Sequence, residues 1–169
     1  RNTIDIMQRW QDNNTSSSFF VAAIRVGYDP SKILNELHKY ALHTYPNGFQ
    51  LNNPHGIENS CTVANALNEM LCMSVGNVIR LFPVFPKNQN ASFKNIRNWG
   101  AFLVSAKLEN GTISDVQILS EKGKTCTLVN PWPDKKVQLY RNGRKAEIIE
   151  GKRITFETAI NEKVEIKSI

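Results

Sequence analysis

The chain is poor in cysteine, in long apolar runs and in repetition, and each shortage removes a class of protein. Its three cysteines, Cys61, Cys72 and Cys126, are odd in number and contain no CxxC pair. That pattern fits neither a disulfide framework nor a zinc site. Cys61 and Cys72 are about three helical turns apart, too far to bond within one helix. Buried free thiols are expected. No apolar run approaches the ~20 residues of a membrane span, so no membrane partner is implied. No repeat or low-complexity tract interrupts the sequence. The chain opens with Arg1 and lacks the apolar core of a signal peptide. A leader has been removed, or the chain is a piece of something longer.

Acidic residues are the scarcer charge, 15 against 21 Lys and Arg, for a net charge of +6. Such an excess can mark an anionic partner. Here it is dispersed, and its densest portions, Lys135-Lys136 and Arg141 to Lys145, fall at turns in a strand-rich tail. No RNA- or DNA-binding motif accompanies it, so no nucleic-acid partner is expected. At 169 residues, 41% hydrophobic and 21% charged, the composition suits one folded domain or two small ones.

The pattern is α+β, with helices over residues 1–76 and an antiparallel β-sandwich over residues 77–169. Residues 3–11 predict a short helix. Residues 16–27 begin with serines that can cap and end at Gly27. Asp29-Pro30 is a helix start of the N-cap and N1 type, followed by a stripe of Ile33, Leu37 and Tyr40. A further helix is expected from Ser60 to Val75, with Gly76 as its stop. The segment 19–26 is apolar nearly all round, as a helix covered on several sides would be. The helical half therefore calls for neighbours that this chain does not supply. Beyond residue 76, strands are expected at 77–84, 100–109, 112–120, 124–130, 136–141, 146–150, 153–158 and 162–168. Asn142-Gly143 between alternating segments is a tight-hairpin signal.

Between the helices at 31–44 and 60–75 lies a loop rich in side-chain amides. Asn52, Asn53, His55, Glu58 and Asn59 are hydrogen-bonding groups of fixed geometry, where exposure alone would select Lys and Glu. Such groups suit a cleft for a neutral, hydroxyl-rich ligand. The plainer readings stand beside this one. Asn is a common turn former, His55 after Pro54 can fill a turn, and Glu58 before a helix favours the helix dipole. His38 and His43 are off the i, i+4 spacing of a helical metal pair. No metal or cofactor is implied. Trp99 and Trp132 could stack on sugar rings or pack the sheet. Sequons stand at Asn13, Asn14, Asn90 and Asn110.

Three stretches resemble the C-terminal end of a six-hairpin (α/α)6 glycosidase, and more closely glycoside hydrolase family 95, the α-L-fucosidases. Gly48-Phe49-Gln50-Leu51, with Asn68-Glu69-Met70-Leu71 beyond the loop, is similar to the last active-site loop and final barrel helix. Gly76 to Pro86 (GNVIRLFPVFP) resembles the segment leaving the barrel. Phe93 to Phe102 (FKNIRNWGAF) resembles the first sandwich strands, and Val129 to Pro133 (VNPWP) fits the same domain. The resemblance implies a secreted or periplasmic bacterial glycosidase acting on oligo- or polysaccharide. Its helices would close a barrel supplied by the rest of the parent chain, which also holds the general-acid glutamate.

The resemblance further implies a water held by a side-chain amide, with an aspartate polarising that amide. Asn52 stands at the aspartate's place, and Glu58, beside Asn59, is the loop's one carboxylate available for the role. Glu58 and Asn59 are thus the candidate catalytic pair, and Asn52, Asn53 and His55 the candidate sugar contacts. Inverting hydrolysis needs an acid and a water-activating group on opposite faces of the sugar, carboxyls ~6.5–9.5 Å apart. By itself the chain is expected to be inactive. The alternative reading is a non-catalytic carbohydrate-binding or structural β-sandwich module.

Overall fold

The structure, a computed structural model, describes the backbone of residues 2–9, 16–49, 51 and 57–169. It divides into two compact units. One holds residues 1–70 with 84–86, and the other residues 71–83 with 87–169.

The first unit carries α1 (Asn2–Arg9), α2 (Ser16–Arg25), α3 (Pro30–Leu42) and α4 (Ile57–Leu71). Gly27 (φ 66°) ends α2. Tyr28 N donates to Ala23 O and Gly27 N to Ile24 O, the paired bonds of a Schellman cap. Asp29 then caps α3, its carboxylate accepting from Ser31 N and Lys32 N, with Pro30 in the first turn. Phe19, Phe20, Ala23 and Ile24 are buried with Ile33, Leu37 and Tyr40 of α3 and Ala66 and Met70 of α4. Phe20 meets Tyr40 edge-on at 6.2 Å. Arg25 forks onto the Glu69 carboxylate at 3.0 and 2.6 Å, tying α2 to α4. α4 stops at Leu71, short of the expected Val75. The next residues, β1 (Cys72–Met73), are captured by antiparallel pairing with β2 (Arg80–Leu81), a tertiary contact that overrides local helix preference.

The second unit is antiparallel throughout its ladders. Its remaining strands are β3 (Ala91–Asn98), β4 (Phe102–Glu109), β5 (Thr112–Ser120), β6 (Cys126–Val129), β7 (Val137–Arg141), β8 (Arg144–Ile149), β9 (Arg153–Phe156) and β10 (Glu162–Ser168). Six of them form one sheet in the order β3-β4-β5-β10-β7-β8, and β6 pairs with β9 separately. Alternate residues of the large sheet are buried: Phe102, Val104, Ala106 and Leu108, Val116 and Ile118, Val137 and Leu139, Val164 and Ile166. Cys126, Leu128, Ile154 and Phe156 of the small sheet are buried as well. The arrangement is that of a lopsided β-sandwich. Fully burying a side chain such as Leu139 or Ile118 contributes roughly 1.5–3 kcal/mol.

The hairpin expected at Asn142-Gly143 joins β7 to β8, with φ of 48° and 80° at its two central residues, the signature of a type I′ turn. β3 escaped the periodicity reading. An extra residue between Phe93 and Ile96 shifts its register against β4, and Asn95 takes φ 56° there. A bulge of this kind breaks the alternation on which strand recognition rests. Cys72 and Cys126 are buried free thiols, as expected, whereas Cys61 is exposed on α4.

Candidate functional site

Asn52, Asn53 and His55 lie outside the described residues. The backbone of Glu58 and Asn59 sits in the first turn of α4, where a carboxylate would favour the positive end of the helix dipole. Their side chains are outside the description. What is fixed is the closure of the loop. Ser60 Oγ donates to Gly48 O at 2.7 Å, and Leu51 N donates to His43 O at 2.9 Å. A small turn, with Tyr45 N on Phe49 O and Gly48 N on Tyr45 O, precedes it. The described residues on either side of the loop are therefore held close together. His43 Nδ1 lies 2.8 Å from Lys39 O, a helix-end contact.

The β unit presents a second candidate that the sequence reading did not single out. A cleft of about 460 Å³ lies on the large sheet, lined by Asn95, Leu103, Ser105, Gln117, Leu119, Tyr140, Lys163 and Glu165 among others. Register explains its composition. Ser105 pairs with Gln117, Gln117 with Glu165 and Glu165 with Tyr140, so four strands contribute one straight row of polar side chains. Four neighbouring strands place the row's ends about 14 Å apart. Leu103, Leu119 and Lys163 form the adjacent row.

Three bulges border this cleft. One holds Asn95, whose N–H donates to Ser105 Oγ at 3.0 Å. A second follows the Ser105–Gln117 pair, with Asp115 at φ 51°. The third separates Gln138 from Tyr140 opposite β8. There the buried Gln138 amide donates to the carbonyls of Leu139, Ala146 and Glu147, filling gaps left in the ladder. Bulges bend strands and re-aim side chains, and they favour binding sites. Two ion pairs lie on this face. Lys167 Nζ lies 3.1 Å from the Glu165 carboxylate and 5.0 Å from the centre of the Tyr140 ring. Lys107 pairs with Asp115, which holds that carboxyl below its ordinary value, chiefly through the hydrogen bond itself. What the cleft offers a ligand is amides, a hydroxyl, an aromatic ring and two leucines beside the charged Lys163 and Glu165, a mixture that suits a polar ligand with an apolar face.

The two tryptophans of interest part company. Trp132 is half-buried, its Nε1–H donating to Ile113 O at 2.9 Å, so it packs the sandwich. Trp99 is 66% exposed. No signal in the sequence separates them, because each stands beside a Gly or Pro at a turn. The cleft was equally silent, since Asn95 and Asp115 take left-handed conformations without a glycine to announce them. Compared with protein-family models and with curated proteins, the chain matches none.

Proposed function

We propose that this chain is the closing portion of a glycoside hydrolase resembling family 95. Its helices complete an (α/α)6 barrel, its loop at 52–59 reaches the sugar, and its general acid comes from the rest of the parent protein. One observation carries the proposal: the helical unit leaves apolar surface uncovered. Ile6, Val26, Leu42, Tyr45, Leu51, Ile57 and Leu67 are all exposed, Leu42 by 69%. That is seven of the twelve exposed large hydrophobic side chains among the described residues, in less than half the chain. Exposed apolar side chains in this number suit helices that pack against further neighbours. The Tyr40 hydroxyl adds to it, being buried with no hydrogen-bond partner among the described residues, a cost of roughly 1–3 kcal/mol that a neighbouring helix would relieve. The order of helices then antiparallel sandwich is the one the family resemblance calls for. In this role Glu58 and Asn59 act on the water side of the bond, and the isolated chain has no turnover. The decisive measurement is the reading frame upstream of Arg1. Further helical hairpins with a candidate acid glutamate are expected, and a start codon preceded by a stop would end the proposal.

A second reading, a carbohydrate-binding sandwich, draws on the bulge-bordered cleft. It predicts that the chain is retarded in native gels containing a soluble polysaccharide, and that Tyr140→Ala or Gln117→Ala reduces the retardation about five-fold or more. Equal mobility of the chain with and without every polysaccharide tried would dismiss it.

A further inference from the structure

We propose that the turn at Trp99 is a separate saccharide platform, the indole face taking a pyranose ring while Asn77, Thr125 and Thr127 meet its hydroxyls. The site lies wholly within the β unit, shares no residue with the large sheet's cleft, and stands whether or not the helical unit belongs to a glycosidase.

The turn is built to hold its backbone still. Asn98, just before it, is buried, its amide donating to Ile96 O at 3.0 Å. Trp99 N donates to Ser74 Oγ at 3.0 Å, and Glu121 N donates to Ala101 O at 3.1 Å. Arg97 forks onto Glu121, bracing the two strands below. Gly100 adopts φ 88°, and a Cβ there would stand 2.5 Å from the Phe102 ring, so the tight turn requires glycine. An indole exposed on a pinned turn offers a large apolar face with little backbone ordering left to lose on binding.

Beside the ring is a small cleft of about 110 Å³, lined by Asn77, Ile79, Trp99, Gly100, Phe102, Lys124, Thr125 and Thr127. Its hydroxyls are held in place from behind. Thr125 Oγ1 donates to the exposed Glu157 carboxylate at 2.8 and 3.0 Å, and Thr127 Oγ1 lies 3.2 Å from Thr155 Oγ1. A hydroxyl so engaged keeps acceptor lone pairs for a ligand. An aromatic face next to fixed hydroxyls and an amide matches a ring with C–H groups on one side and hydroxyls around its edge. The charges argue against a stacked nucleobase. Lys124 and Glu157 are of opposite sign, whereas single-stranded nucleic acid needs a basic track along its phosphates.

The test titrates the 169-residue chain with β-1,4-linked hexasaccharides of glucose, xylose and mannose, and with a single-stranded thymidine oligonucleotide. Indole fluorescence and calorimetry are the readouts. At least one saccharide should give a saturable blue shift. Trp99→Ala, with its β-sheet circular dichroism intact, should weaken calorimetric binding about ten-fold or more. Trp99→Tyr should recover part of the loss, and the isosteric Thr127→Val should cost a few-fold. The proposal is overturned if no saccharide binds saturably, if Trp99→Ala binds as tightly as the parent chain, or if only the oligonucleotide binds.

Discussion

In the β unit, alternate residues of β4, β5, β7 and β10 turn inward and meet partners from the same unit. In the helical unit, apolar residues point both inward, as Phe19, Phe20 and Ile33 do, and outward, as Val26, Leu42 and Leu67 do. The β unit closes its own core, while the helices bury only part of what they carry. A sheet of six strands has one large face to cover and a second sheet to cover it. Four helices of 8 to 15 residues, with apolar residues on more than one side, need several neighbours each.

The contrast can be broken first at the core. Leu139→Ala removes a fully buried side chain from the β unit and should cost about 2–5 kcal/mol in denaturant unfolding. A loss under about 1 kcal/mol would mean that the strands do not form a packed core. A second effect is set by pH. Burial pushes the Cys72 thiol from 9.0 up to about 12, with the Asn98 amide opposing the shift, and Cys126 is likewise raised to about 12, mainly by burial. Each thiol keeps its proton in the folded state where the unfolded chain has lost it. Their contribution is therefore whole below pH 9 and falls between pH 9 and 12, by up to about 1.4 kcal/mol per pH unit for each thiol. Stability that is flat from pH 8 to 11 in a Cys61→Ser background would contradict this. In the native chain at pH 8, Cys61 should react with a thiol reagent well before the other two, because it alone is exposed. The smallest effect belongs to the helical surface. Leu42→Ser with Leu67→Ser should change stability by no more than about 0.5 kcal/mol while raising solubility, and a large destabilisation would mean that those side chains already have partners.

The candidate sites differ in how far they could be read ahead of the fold. Asn52, Asn53, His55 and Glu58 drew notice because amides, histidine and one carboxylate cluster in a few residues of chain. Gln117, Glu165 and Tyr140 did not, since they come from three strands and look like ordinary outward-facing residues until register sets them in one row. Trp99 and Trp132 look alike in sequence for a similar reason: whether an indole is stacked inside or left in water depends on what other strands bring beside it.

Sequence alone settled what is local. The Asp29-Pro30 cap, the Gly27 stop, the Asn142-Gly143 turn and the change of period from helix to strand each rest on the conformational limits of a few adjacent residues. Tertiary structure decided the rest. It ended α4 at Leu71, hid β3 behind a bulge, lined a cleft from five strands and left Trp99 uncovered. Those outcomes depend on pairings between residues far apart in the chain, whose energies no local pattern records.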